Sequence, residues 1–234
     1  MKTVIIYALP FDNWREFAGP VHRFIESFKA FPPGADYELW AMCCWGEPIN
    51  ELRWDFYGIK TKFLPHYQGC DCIAVHQATA QTIDEDFLVC CSTRTYFHRA
   101  GWLKRLVDAR AQYGPGLYGA ASSRETGHLH ITNQLYALDA EDFRSYPWEI
   151  RGRDDAPSFE AGPRSITNHM AELHQPCMVT YWDEILPIER ALGYTNGFRN
   201  GNQEQMIAWN RHTDLWRDSD EDGRKRLTEA MLRG

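Results

Sequence analysis

The chain has 234 residues and a mass of 27.2 kDa, enough for one sizeable core or one core with a small lobe. Hydrophobic residues make up 44% and charged residues 24%, a globular composition that excludes disorder, collagen and low complexity for most of the chain. The 25 basic against 32 acidic side chains leave a formal charge of −7, which argues against broad nucleic-acid or anionic-membrane binding, and no apolar run approaches the ~18 residues of a membrane span.

The opening, Met1 to Pro10, is too short for a signal sequence with a cleavage site and reads as a first buried strand, Thr3–Leu9. Pro10 ends it, with polar Asp12 and Asn13 following. Gly19-Pro20 is expected to open a helix presenting Val21, Phe24, Ile25 and Phe28 on one face, because proline suits a first helical turn. Pro32-Pro33-Gly34 closes it. Tyr37–Trp45 is a second strand, residues 46–60 a polar connection, Thr61–Pro65 a short strand and Cys70–Gln81 a helix. Asp86–Cys91 is a continuous apolar strand of the kind buried on both faces. Trp102–Tyr113 is a helix stopped by Gly114-Pro115-Gly116. Leu117–Ala121 and Ile131–Leu138 are strands, Ala140–Tyr146 a short helix and 149–158 an exposed loop. Ser165–Leu173 is helical, Cys177–Trp182 a strand and Asn202–Asn210 a short helix. Ser219–Leu232 is a last helix with a capping-box start at Ser219-x-x-Asp222.

Strands alternating with helices imply an α/β sandwich with a mainly parallel sheet. Ligands bind such sheets beyond the carboxyl ends of the strands. That rule selects Ala8–Asn13, Ser92–Tyr96 and Ser122–His128 as the edge of a site. The seven cysteines are odd in number, lack the C-x2-C spacing of zinc sites and fall partly in apolar runs. Reduced, mostly buried thiols in a cytoplasmic protein are the expectation. Cys70 and Cys72 lack nearby partners for a metal. The sequence contains no G-x-G-x-x-G after the first strand, no P-loop, no G-x-S-x-G and no H-E-x-x-H.

Four segments gain meaning from their succession. Asp86-Phe-Leu-Val-Cys-Cys-Ser92-Thr-Arg94-Thr-Tyr96-Phe97 precedes Gly101-Trp102-Leu103. His128-Leu-His130-Ile-Thr132 follows, then Phe159-Glu160-Ala-Gly162 leading to Ser165-Ile-Thr167. Last comes Gly197-Phe-Arg199-Asn-Gly201-Asn202-Gln203, running into Arg211-His212-Thr213-Asp214. This order resembles nucleotide-sugar glycosyltransferases of the GT-A fold, over roughly residues 3–217. The resemblance implies a GT-A-like three-layer sandwich, a mixed and mainly parallel sheet flanked by helices. It implies one such domain over 1–234, with a nucleotide-binding half near 1–125, an acceptor-side half near 126–218 and a terminal helix at 219–232.

The family's Asp-x-Asp chelates a divalent cation on the donor diphosphate, and here Ser92-Thr93-Arg94 stands in its place. Arginine cannot hold a cation, but it can neutralise phosphate through forked, charge-assisted hydrogen bonds. The chain is then a metal-independent transferase, one that takes Mn2+ or Mg2+ elsewhere with a UDP- or GDP-sugar, or a non-catalytic relative. The resemblance makes Glu160 the base and Arg94 the charge-neutralising group. Ala8, Pro10, Asp12, Asp71, Ser92 and Arg94 would contact the donor, and His128 and His130 a hydroxyl acceptor. His212 and Asp214 would contact a metal. Each has a plainer reading. Arg94 can cap a strand end in a surface ion pair, and Glu160 can be a solvated loop acid. Asp12 can be a turn residue and Asp71 a helix cap. His128 and His130, two apart on one strand, can form a polar sheet face, and His212 can be a structural histidine. A metal-dependent hydrolase built on His128, His130 and His212 is a further alternative.

Overall fold

The computed structural model describes residues 2–46, 55–56, 58–67, 72–84 and 86–233. The strands are β1 (Thr3–Pro10), β2 (Glu38–Cys44), β3 (Thr61–His66), β4 (Phe87–Cys91), β5 (Leu117–Gly119), β6 (Ser122–Ser123), β7 (His130–Ile131), β8 (Leu135–Asp139), β9 (Cys177–Thr180) and β10 (Ile185–Pro187). The helices among the described residues are α1 (Trp14–Ala30), α2 (Cys72–Ala80), α3 (Trp102–Tyr113), α4 (Ala140–Ser145), α5 (Ala156–Glu160), α6 (Ile166–Glu172), α7 (Ile188–Ala191), α8 (Arg211–Asp218) and α9 (Glu221–Arg233).

Eight strands form one sheet in the order β10-β9-β5-β8-β4-β1-β2-β3. Six run in one direction, and β8 and β10 run against them. This is the mixed, mainly parallel sheet expected from the sequence, with β1, β2 and β4 as neighbours at its centre. β1 is buried along its whole length, and its side chains alternate between two cores. Val4, Ile6 and Ala8 join the core beneath α2, α4, α5 and α6. Ile5, Tyr7 and Leu9 join the core beneath α1 and α3. Cys90 and Cys91 likewise enter opposite cores, as do Cys44 and Cys43. All four are buried free thiols, the state their apolar runs predicted, while Cys70 lies outside the described residues. No described helix is long and apolar enough to cross a membrane.

Five local expectations are corrected. α1 begins at Trp14, six residues before Pro20, which sits inside the helix. Pro20 has no N–H to offer the Glu16 carbonyl one turn back, so the helix tolerates one missing bond there. Residues 202–210 are not helical. Gln203 has a positive φ of 59°, and Met206 and Trp209 instead make isolated bridges to Tyr181 and Tyr96. The helix follows, as α8, opened by Asn210 and Thr213 in a reciprocal capping box. The start of α9 is capped by Asp220, whose Oδ1 accepts the Gly223 N–H at 2.8 Å, whereas Ser219 Oγ donates back to Leu215 O. The predicted loop 149–158 gives way to α5 from Ala156, and the strand 131–138 is interrupted by a turn at 132–134.

Candidate functional site

The carboxyl ends of β1 and β4 lie side by side because the two strands are parallel and directly paired. β8 is antiparallel to β4, so its amino end meets the same edge, with Leu135 opposite Cys91. These three ends frame a cleft of about 410 Å³, within the range of small-molecule sites. Pro10, Asp12 and Asn13 come from the end of β1, Glu16 and Phe17 from α1, and Ser92, Thr93 and Arg94 from the end of β4. Cys72, Asn133, Arg153, Asn210, Arg211 and His212 complete the wall.

The floor is held by a dense set of hydrogen bonds. Tyr7, stacked on Phe24 at 3.8 Å, donates its hydroxyl to Thr93 O at 2.9 Å. Thr93 Oγ1 donates to Ala8 O at 3.1 Å, and Ser92 N to Gln134 O at 3.2 Å. Beneath them His76 is fully buried. Its Nε2 lies 3.1 Å from Cys91 O, which can only accept, so Nδ1 accepts from the Tyr136 hydroxyl at 3.0 Å. Burial drives the His76 pKa down to about 3 against the pull of the Cys91 carbonyl, so the ring is neutral. The last carbonyl of β4 is thereby fixed just before Ser92-Thr93-Arg94.

The rim is charged. Arg94 donates from Nη2 to Glu16 Oε1, and its guanidinium lies 4.7 Å from the Phe17 ring centre. Arg153 and Arg211 also line the cleft and have no carboxylate partner among the described residues. His212 stands in the first turn of α8, its N–H capped by Asn210 Oδ1 at 2.8 Å. Its pKa is lowered by burial first, then by the positive charges of Arg211 and Arg199; Arg94 adds a smaller push. An uncharged imidazole beside three guanidinium groups makes a rim suited to an anion.

Of the residues expected at the site, Pro10, Asp12, Ser92, Arg94 and His212 meet in this one cleft. Ala8 lies just below it and contributes its backbone carbonyl to Thr93. Asp71 lies outside the described residues. Glu160 is half-buried behind the wall, where Oε1 accepts the Asn133 N–H at 3.1 Å. His128 and His130 do not share one strand face, nor do they line the cleft. His128 is exposed in the turn before β7, while His130 is buried with Nδ1 against His128 O at 2.8 Å. Asp214 is also displaced from the expected pair with His212. The two lie on a helix, where positions i and i+2 point about 200° apart. Asp214 instead takes both terminal nitrogens of Arg23 and accepts from the Tyr96 hydroxyl.

These donors do not fit a chelated divalent cation. Arg94, at the end of β4, is a cation and cannot ligate one, and Glu16 is spent on Arg94 and Asn13. No group of three or more His, Cys, Asp or Glu suited to a metal occurs among the described residues. Sequence reasoning missed Glu16, Asn133, Arg153 and Arg211. Only Arg211 carried a readable sign, following Asn210 in an N-x-x-T capping pattern.

No protein-family model matches the chain, and no curated protein matches it. Among solved structures it is similar to HddC from Yersinia pseudotuberculosis, at 11% identity and a TM-score of 0.45, over 68% of this chain and 84% of that one. It is similar to S. aureus TarS 1–349 in complex with UDP, at 7% identity and a TM-score of 0.45, over 62% and 48%. A third is the mannosyltransferase PcManGT from Pyrobaculum calidifontis in complex with GDP-Man and Mn2+, at 9% identity and a TM-score of 0.48, over 62% and 46%. The chain spans about half the length of the latter two. By its sheet order and its helices on both faces, the fold is a three-layer α/β sandwich with a mixed, mainly parallel sheet.

Proposed function

We propose that this protein binds a nucleotide-activated sugar in the cleft and transfers the glycosyl group to a hydroxyl acceptor without a chelated cation. The observation that carries this reading is the convergence of Arg94, Arg153, Arg211 and uncharged His212 beyond the paired ends of β1 and β4. A sugar diphosphate needs positive charge where its leaving oxygen develops negative charge. Three arginines supply that charge through forked guanidinium groups. Asp12 and the β1 end are left for the nucleoside.

In the transfer, the acceptor oxygen bonds to the anomeric carbon while the bond from that carbon to the diphosphate oxygen breaks. The electron pair leaves with the diphosphate, and the acceptor proton passes to a base. Glu160 is the candidate base, backing the wall at Asn133. The experiment is a calorimetric titration of UDP- and GDP-sugars with and without Mn2+. Saturable heat from one donor class, unchanged by Mn2+, is expected. No heat from any nucleotide sugar would end this reading. A second reading, a nucleotide-sugar-binding protein without transfer, is favoured by the engagement of Glu160 with the Asn133 backbone. The two part in a donor-consumption assay, in which Glu160→Gln abolishes turnover only if transfer occurs.

A further inference from the structure

Arg94 is claimed twice in the cleft. The donor reading assigns its guanidinium to phosphate, and the structure gives it to Glu16. Glu16 lies in the first turn of α1, and its carboxylate is steadied on the other side by Asn13 Nδ2, 2.5 Å from Oε2. Phe17, the next residue, packs against the same guanidinium. Arg153 and Arg211 face the cleft with no such acid among the described residues. The side chains of Arg94 and Glu16 are 25% and 49% exposed, so the pair is reachable by solutes and screened by water.

We infer that Glu16 is an affinity-setting residue, a carboxylate that competes with the ligand's phosphate for Arg94; this rests on the donor reading above. A phosphate at Arg94 must share the guanidinium with a carboxylate of the same sign or displace it. The carboxylate offers acceptor oxygens of the kind the phosphate offers, on a helix turn that closes one wall of the cleft. An exposed ion pair is worth little, so the competition is mild. The amide of Glu16→Gln keeps the size and removes the charge.

Inorganic pyrophosphate and UDP are titrated separately, at constant ionic strength, into the full chain, Glu16→Gln, Arg94→Ala and the double variant. Thermal unfolding shows that each is folded. Glu16→Gln is expected to bind pyrophosphate about two- to five-fold more tightly than the parent chain. That gain is expected to vanish in the Arg94→Ala background. Equal or weaker binding by Glu16→Gln would overturn the inference, as would a gain that persists without Arg94. Binding lost in Glu16→Gln only when Mg2+ is present would also overturn it, making Glu16 a cation ligand. No pyrophosphate binding by any variant would do the same. Pyrophosphate gains without any UDP heat would uphold the competition and discard the nucleotide.

Discussion

The rim and the floor of the cleft solve opposite problems within a few residues of each other. The floor is neutral and closely hydrogen-bonded: His76, Tyr7 and Thr93 pair with the carbonyls of Cys91, Thr93 and Ala8, and Tyr136 with His76, while Gln134 Nε2 is buried without a partner among the described residues. The rim is charged and half-exposed, with Arg94 tied to one acid and Arg153 and Arg211 to none described. A buried polar group without a partner costs about 1–3 kcal/mol, whereas a solvated ion pair contributes about 0–1 kcal/mol. Changes to the floor should therefore register as stability and changes to the rim as ligand affinity. Two histidines state the contrast. Both have lowered pKa values, His76 through burial and His212 through burial reinforced by arginines.

The sharpest way to break this contrast is His76→Ala. It removes a fully buried ring and leaves the Cys91 carbonyl and the Tyr136 hydroxyl without that partner. A loss of about 2–4 kcal/mol in denaturant unfolding is expected. A loss under about 0.5 kcal/mol would mean that the floor is not rigidly specified. Asn210→Ala should cost about 1 kcal/mol, because it removes the cap of α8. It should also weaken anion binding, since that turn carries Arg211 and His212. A stability loss with unchanged binding would separate α8 from the rim.

The pH dependence sharpens the floor further. The folded pKa of His76 is depressed from 6.5 to about 3, so between those values the unfolded chain holds more protons. Stability then rises with pH across about 3 to 6.5 and falls as pH drops through that window. His98, His169 and His212, also depressed, add to the same slope. In His76→Leu the slope should flatten in part. An unchanged slope would assign it to the other three.

Much of the frame was legible because local pattern and burial agree there. The run Phe87–Cys91 has no polar residue, and only a strand covered on both faces accommodates that. The meeting of Pro10, Asp12, Ser92 and Arg94 followed from parallel strands sharing an edge. What escaped was set by contacts distant in sequence. Nothing in Trp14-Arg15-Glu16 announces that Glu16 will reach Arg94, 78 positions later. His128 and His130 were placed on one strand by alternation, but the chain turns before His130. His212 and Asp214 lie on α8, one segment beyond the helix expected over 202–210. The Asn210–Thr213 capping box could have corrected that.

The central claim is the proposal that Arg94 supplies positive charge to the diphosphate of a nucleotide-sugar donor. Its most direct test is the affinity of Arg94→Ala for the nucleotide-sugar donor, measured by calorimetry beside the parent chain. A charge-assisted bond of about 1.5–3 kcal/mol predicts affinity roughly 10- to 100-fold weaker, with the unfolding midpoint nearly unchanged. Donor affinity equal to that of the parent chain would contradict the claim and leave Arg94 as the surface partner of Glu16.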